Sequence, residues 1–286
     1  MSDPHTDAAY NVRLSVPEEV FQSTLADYRG ESERAVRGLP GHRDIVYDEP
    51  SGERLDVWGT GGRPRPALVV VHGGYWRMLS RHDTAFMARA LADAGVATVS
   101  VDYSLAPDAD LEEIVRQVRA AVAWVHCHGA AYGLDPDRIV VAGSSAGGHL
   151  AAAAMCGGWQ AALGLPGDVV KAGLPISGLF DLRPLVDSFA NEWLHLDEAR
   201  AAVLSPLLAP PPEGPAPRAV VAVAEHDGSG FLAQSRSFHA AWSRHADSEL
   251  LVVPGRHHYD VFLDLADSNS ALFAKCVELV RSTARE

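Results

Sequence analysis

The chain has 286 residues, 47% of them hydrophobic, enough to bury a substantial core, and a formal net charge of −13. With its arginines scattered rather than clustered, it offers no basic surface to nucleic acid or anionic lipid. Residues 1–10 are polar and acidic without a leader's apolar stretch, and no apolar run approaches the ~20 residues that cross a bilayer, so a cytoplasmic protein is expected.

Ser15 and Pro17 are start signals for an amino-terminal helix over residues 17–37, expected to pack outside the sheet. A less regular pair of segments, 45–47 and 54–57, suits an antiparallel hairpin. From residue 67 onward, short β-branched runs at 67–71, 96–103, 138–143, 172–176, 219–224 and 249–253 alternate with helical patterns. Those patterns cover residues 84–94, 111–126, 146–155, 231–245 and 271–284. The alternation predicts an α/β fold, a mostly parallel central sheet flanked by helices, in a single domain over residues 1–286. Residues 179–218 interrupt it with Asn191-Glu192-Trp193, a helix at 197–204 and Pro210-Pro211-Pro212, and an excursion of that length suits a small cap over a site. Helix 17–37 is read as a second cap element. Cys127, Cys156 and Cys276 are odd in number and lack C-x-x-C spacing, so reduced, buried thiols are expected.

The chemistry concentrates at Gly143-Ser144-Ser145-Ala146-Gly147, between an apolar strand and an alanine-rich helix. A nucleophile elbow needs small residues two positions either side of its serine, and only Ser145 has glycine at both. His72-Gly73-Gly74-Tyr75-Trp76 follows the 67–71 strand; its glycines let backbone N–H groups approach a developing oxyanion. Gly73, Gly74 and Ala146 are the candidate donors, and His72 is read as a brace for the loop. A serine needs a base and an orienting acid, and the fold's order places acid then histidine downstream. Asp227, at the end of the 219–224 strand, is preferred to Glu225 because its shorter arm suits an orienter. After the last strand His257 and His258 both offer a base, with His258 preferred. Tyr75 and Trp76, bulky residues beside the glycine loop, are candidate pocket residues. The thirteen histidines form no paired-ligand helix, so no metal site is expected.

Together these residues resemble the kynurenine formamidase (arylformamidase) group of α/β-hydrolases, close to the hormone-sensitive-lipase-like esterases. The likeness rests on the His72 to Trp76 loop, Tyr10-Asn11-Val12-Arg13 before Val16-Pro17, and Tyr103-Ser104-Leu105-Ala106-Pro107. It extends to Ser177-Gly178-Leu179-Phe180-Asp181-Leu182, Ser205-Pro206-Leu207 and Glu225-His226-Asp227. In that group an aromatic residue follows the catalytic histidine, as Tyr259 follows His258. The chain departs from the group at Ser144, where histidine is common. The resemblance implies an α/β-hydrolase fold and hydrolysis of N-formyl-L-kynurenine, a small-molecule substrate, to L-kynurenine and formate without metal or organic cofactor; the substrate's carboxylate would then need a partner, which Arg77 or Arg183 could supply, and a homodimer is allowed for. The rival expectations are a broad carboxylesterase using the same triad, or a non-hydrolytic enzyme or binding protein on the same scaffold.

Overall fold

The computed structural model describes residues 2–284. At its centre an eight-stranded sheet contains β1 (Gly41–Asp48), β2 (Glu53–Trp58), β3 (Arg65–Val71), β4 (Ala97–Val101), β5 (Leu134–Ser144), β6 (Val170–Ile176), β7 (Arg218–His226) and β8 (Ser248–His257). Their spatial order is β1-β2-β4-β3-β5-β6-β7-β8. β1 and β2 form the expected antiparallel hairpin, β2 lies antiparallel to β4, and the other neighbours are parallel. Alternate residues of one strand feed two cores: Ala67 and Val69 pack in one, Leu68 and Val70 in the other. A strand buried on both faces loses polar alternation, which is why the sequence shows it as an unbroken apolar run.

The helices are α1 (Pro4–Tyr10), α2 (Glu18–Val36), α3 (Ala88–Asp93), α4 (Leu111–His128), α5 (Ala146–Met155), α6 (Asn191–Leu194), α7 (Glu198–Val203), α8 (Ser229–Trp242) and α9 (Ala271–Arg281). One sheet face is covered by α4, α5 and α8, the other by α2, α3 and α9. This is the α/β-hydrolase arrangement expected from the sequence. In α4, Asp110 caps Glu113 N–H at 2.8 Å, and Leu111, Ile114, Val118, Ala121, Val122 and Val125 are buried at helical spacing. Each fully buried leucine, isoleucine or valine of that stripe contributes about 1.5–3 kcal/mol of hydrophobic transfer free energy, before the entropy of ordering it.

Two expectations are corrected, and one element is added. Cys156 and Cys276 are buried thiols, but Cys127 is exposed, because it falls on the face of α4 opposite the stripe ending at Val125. The helix expected over residues 84–94 shrinks to α3 preceded by a 3-10 turn (Arg81–Asp83). Tertiary bonds claim its first turn: Asp83 accepts from Arg29 Nε at 2.7 Å and Ala85 N–H donates to Ser32 Oγ at 3.0 Å. The short helix α1 was not foreseen; Asp3 caps it by accepting from the N–H groups of His5 and Thr6.

Residues of the 179–218 excursion form a third core with the amino-terminal segment. Leu179, Leu182, Leu185, Leu194 and Leu204 pack there with Tyr10, Val12 and Trp76. Asn191 ties the excursion into a knot, donating to Val186 O and Leu196 O at 2.9 Å each and accepting Leu196 N–H at 2.6 Å. Among the described residues no helix is long and apolar enough to cross a membrane.

Candidate active site

The sequence-predicted residues converge at the carboxyl ends of β3, β5, β7 and β8, where parallel α/β sheets place their ligands. Ser145 sits between β5 and α5 with φ 59° and ψ −121°, a left-handed backbone that L-residues adopt only when the surroundings impose it. The imposition is visible in the flanking glycines. A Cβ on Gly147 would lie 2.1 Å from Val71 O, and one on Gly143 would lie 2.3 Å from Gly147 O, so neither position admits a side chain. Ser145 N–H is engaged by Ile176 O at 2.9 Å. Ala146 N–H opens α5 and, like other first-turn amides, has no acceptor within the helix.

Gly73 and Gly74 lie against this elbow. A Cβ on Gly73 would be 3.3 Å from Ser145 Cβ, while Gly74 has φ 95°, comfortable only for glycine. Tyr103 braces the loop: its ring stacks on His72 with centroids 4.0 Å apart, and its hydroxyl donates to His72 O and Gly73 O at 3.0 and 3.2 Å. Burial lowers the pKa of His72 below its ordinary value, which favours the neutral imidazole and suits a bracing group. Downstream, Arg81 anchors the same loop to the sheet. It is buried and pairs with Asp56 at 3.2 Å and with Asp44 and Asp102, while its N–H donates to Asp102 at 2.6 Å.

The geometry separates the acid and base candidates. His258 Nδ1 donates to Asp227 Oδ1 at 2.8 Å, and both side chains are nearly inaccessible to solvent. Asp227 Oδ1 also accepts Gly228 N–H at 2.8 Å, which fixes the carboxylate, and Phe231 packs against the imidazole with centroids 4.5 Å apart. Glu225 is exposed and accepts Gly255 N–H at 2.7 Å. His257 Nδ1 caps the following turn, accepting from Tyr259 N–H at 3.2 Å and Asp260 N–H at 3.3 Å. His258 and Ser145 line one cavity, whereas His257 does not line it. Among the described residues no hydrogen bond joins Ser145 Oγ to His258. Catalytic contacts of this kind commonly tighten only when substrate is bound.

The cavity has a volume of about 200 Å³. Gly73, Gly74, Ser144, Ser145 and His258 line its chemical end, and Tyr75, Phe189 and Trp193 form one aromatic wall. α2 supplies further wall through Phe21, Leu25 and Tyr28, and Asn11, Val12 and Arg13 also line the cavity. Sequence reasoning read helix 17–37 as a cap element outside the sheet but named none of these wall residues. The available signal was the family likeness of Tyr10 to Arg13. Of the two aromatic candidates Tyr75 lines the cavity, but Trp76 does not: it is wholly buried, its ring against His149 at 5.2 Å. Successive left-handed residues, Tyr75 at φ 50° and Trp76 at φ 58°, turn the two rings apart. Arg77 lines the cavity, whereas Arg183 is bound to Asp181 at 2.7 Å away from it. Among the described residues no three His, Cys, Asp or Glu side chains converge as metal ligands.

The BD-FAE family model matches residues 57–173. The kynurenine formamidase of Salmo salar is 31% identical over 265 residues, covering 88% of this chain and 86% of that protein. The kynurenine formamidase of Danio rerio is 28% identical, covering 96% and 94%. Among solved structures, a Silicibacter sp. tm1040 protein described as a candidate thioesterase superposes with a TM-score of 0.77 at 28% identity, covering 91% of this chain and 93% of the other.

Proposed function

The chain belongs to the kynurenine formamidase family and is a hydrolase, and from that premise we propose that it cleaves the formyl amide of N-formyl-L-kynurenine, giving L-kynurenine and formate. The observation that carries the reading is His258, bonded to the buried Asp227 at 2.8 Å and lining the same cavity as Ser145, whose backbone is held in a left-handed turn.

In the proposed mechanism Ser145 Oγ attacks the formyl carbon as His258 Nε2 takes its proton. Asp227, bonded to Nδ1–H, holds the ring with Nε2 free and stabilises the imidazolium. The N–H groups of Gly73, Gly74 and Ala146 receive the oxyanion, a contribution of about 3–4 kcal/mol for one well-placed donor. His258 then protonates the departing aryl amine, whose nitrogen pair delocalises into the ring. Water attacks the formyl-Ser145 ester with His258 again as base, and formate leaves as Oγ regains its proton. Tyr75, on the cavity wall next to Gly74, would keep the acyl end narrow and favour formyl over longer acyl groups.

The same reading makes the substrate a small molecule handled in the cytoplasm, and the net charge of −13 argues against a nucleic-acid partner. The deciding experiment compares kcat/KM for N-formylkynurenine and p-nitrophenyl acetate, with fluorophosphonate labelling of Ser145. A preference for the formamide with stoichiometric labelling supports the reading. Preference for the ester makes the protein a broad carboxylesterase, and an unlabelled, folded chain removes the serine mechanism altogether.

A further inference from the structure

We infer that Arg77 is the anion-binding position of this cavity, selecting aryl formamides that carry a carboxylate at the end remote from the formyl group. The inference rests on the formamidase reading of Ser145 and adds to it the group that reads the rest of the substrate.

The argument begins with charge. Although the chain as a whole carries −13, no aspartate or glutamate lines the cavity, and its charged lining residues are Arg13 and Arg77. A cavity with low-dielectric aromatic walls and only cationic residues at its edge concentrates anions, against the sign of the whole molecule. The two arginines differ in what already occupies them. Arg13 is paired with Glu18 and stacked on Phe21, its guanidinium carbon 4.4 Å from the ring centre. Arg77 has no carboxylate partner among the described residues, and its guanidinium makes no hydrogen bond there. It is held by stacking alone, 4.3 Å over the Trp193 ring.

That stack is itself fixed. Trp193 Nε1 donates to Tyr75 O at 3.1 Å, and Arg77 N–H donates to Gly74 O at 3.0 Å. The Arg77 backbone is thus bonded to the glycine proposed to hold the oxyanion, and the ring beneath its guanidinium is bonded to the residue after that glycine. A planar group stacked on an aromatic face keeps its N–H edge open, the edge that meets a carboxylate in a bidentate pair. A substrate spanning the cavity would place its aryl ring among Tyr75, Phe189 and Trp193 and its carboxylate on Arg77.

The test is steady-state kinetics on N-formylkynurenine and on 2-formamidoacetophenone, which keeps the ring, ketone and formamide but lacks the amino-acid group. Arg77→Gln should raise KM for N-formylkynurenine roughly 10- to 100-fold with kcat changed by less than about 2-fold, the signature of a lost charge-assisted contact made in ground and transition states alike. The neutral analogue should be nearly unaffected, and added salt should weaken N-formylkynurenine binding in the wild type more than in the variant. Equal losses on both substrates would mean that Arg77 acts only by packing on Trp193, and would overturn the inference. So would a selective loss in Arg13→Gln but not Arg77→Gln. A wild type that cleaves the two formamides equally well rejects the anion site while leaving the formamidase reading standing; one that cleaves neither rejects that reading.

Discussion

At the scale of single residues, the sequence left a pair of alternatives at each of two positions, and side-chain geometry distinguishes them. His257 and His258 are adjacent, yet one caps a turn and the other is bonded to a buried carboxylate. No local pattern separates them, because which imidazole points inward depends on how β8 ends against α8. The expected outcome is that Ser145→Ala and His258→Ala each lower kcat by at least about 10⁴-fold, since these groups act as a unit, with Asp227→Asn somewhat less damaging. His257→Ala should keep turnover within about 5-fold, paying only in local stability for the lost cap. Stopped assays on N-formylkynurenine or a chromogenic ester check this, and an inactive His257→Ala beside an active His258→Ala would reverse the assignment. Trp76 shows the opposite limit of sequence reasoning. Its type suited a pocket, but two successive left-handed backbone positions send it into the core.

At the scale of elements, α5 has the closest link to the site. It is buried on every side, and its His149 lies one turn after Ser145, with Nε2 donating to Leu204 O at 2.9 Å. Burial lowers the His149 pKa from 6.5 to about 4. Between those values the unfolded chain binds the proton and the folded chain does not, so stability is full above pH 6.5 and is lost as pH falls toward 4. Linkage puts the loss at about 2 kcal/mol between pH 7 and pH 5. Urea unfolding of wild type and His149→Gln at the two pH values tests it: the variant's decline should be smaller by that amount, and parallel declines would show that His149 does not titrate differently on folding. Elements such as α4 and β5 were legible in the sequence because burial repeats at their own period. The start of α3 was not, since Asp83 and Ala85, just before it, bond to Arg29 and Ser32, more than fifty residues away. The site followed the same division. The elbow and glycine loop are short motifs dictated by clearance, while the cavity walls come from contacts distant in sequence.

At the scale of the whole molecule, the amino-terminal segment separates folding from substrate binding. Both sheet cores are complete without it, as neither contains a residue before Tyr28. It is nevertheless bound at many points. Asp3 N–H donates to Asp187 O at 2.7 Å, Asp7 accepts Phe189 N–H at 2.7 Å, and Tyr10 O accepts the Tyr75 hydroxyl. Gln234 of α8 donates to the Tyr10 hydroxyl at 3.0 Å and accepts the N–H groups of Phe180 and Asp181, closing a network between segment, excursion and α8. Its end, Asn11 to Arg13, forms part of the cavity wall. Removing residues 1–16 should therefore leave far-UV circular dichroism nearly unchanged and lower Tm by several degrees, as expected for a loss of about 1–3 kcal/mol of packing and hydrogen bonds in a chain this size. The kinetic effect should depend on the size of the substrate. A small ester needs only the surroundings of Ser145, whereas a long aryl formamide needs the wall and a Tyr75 held by Tyr10. The truncated chain should lose at least about 10-fold in kcat/KM on N-formylkynurenine and much less on p-nitrophenyl acetate, because binding energy remote from the reacting bond serves to orient it. Equal retention of both activities would show that the segment only covers the excursion, and equal loss would show that it supports the elbow rather than the cavity.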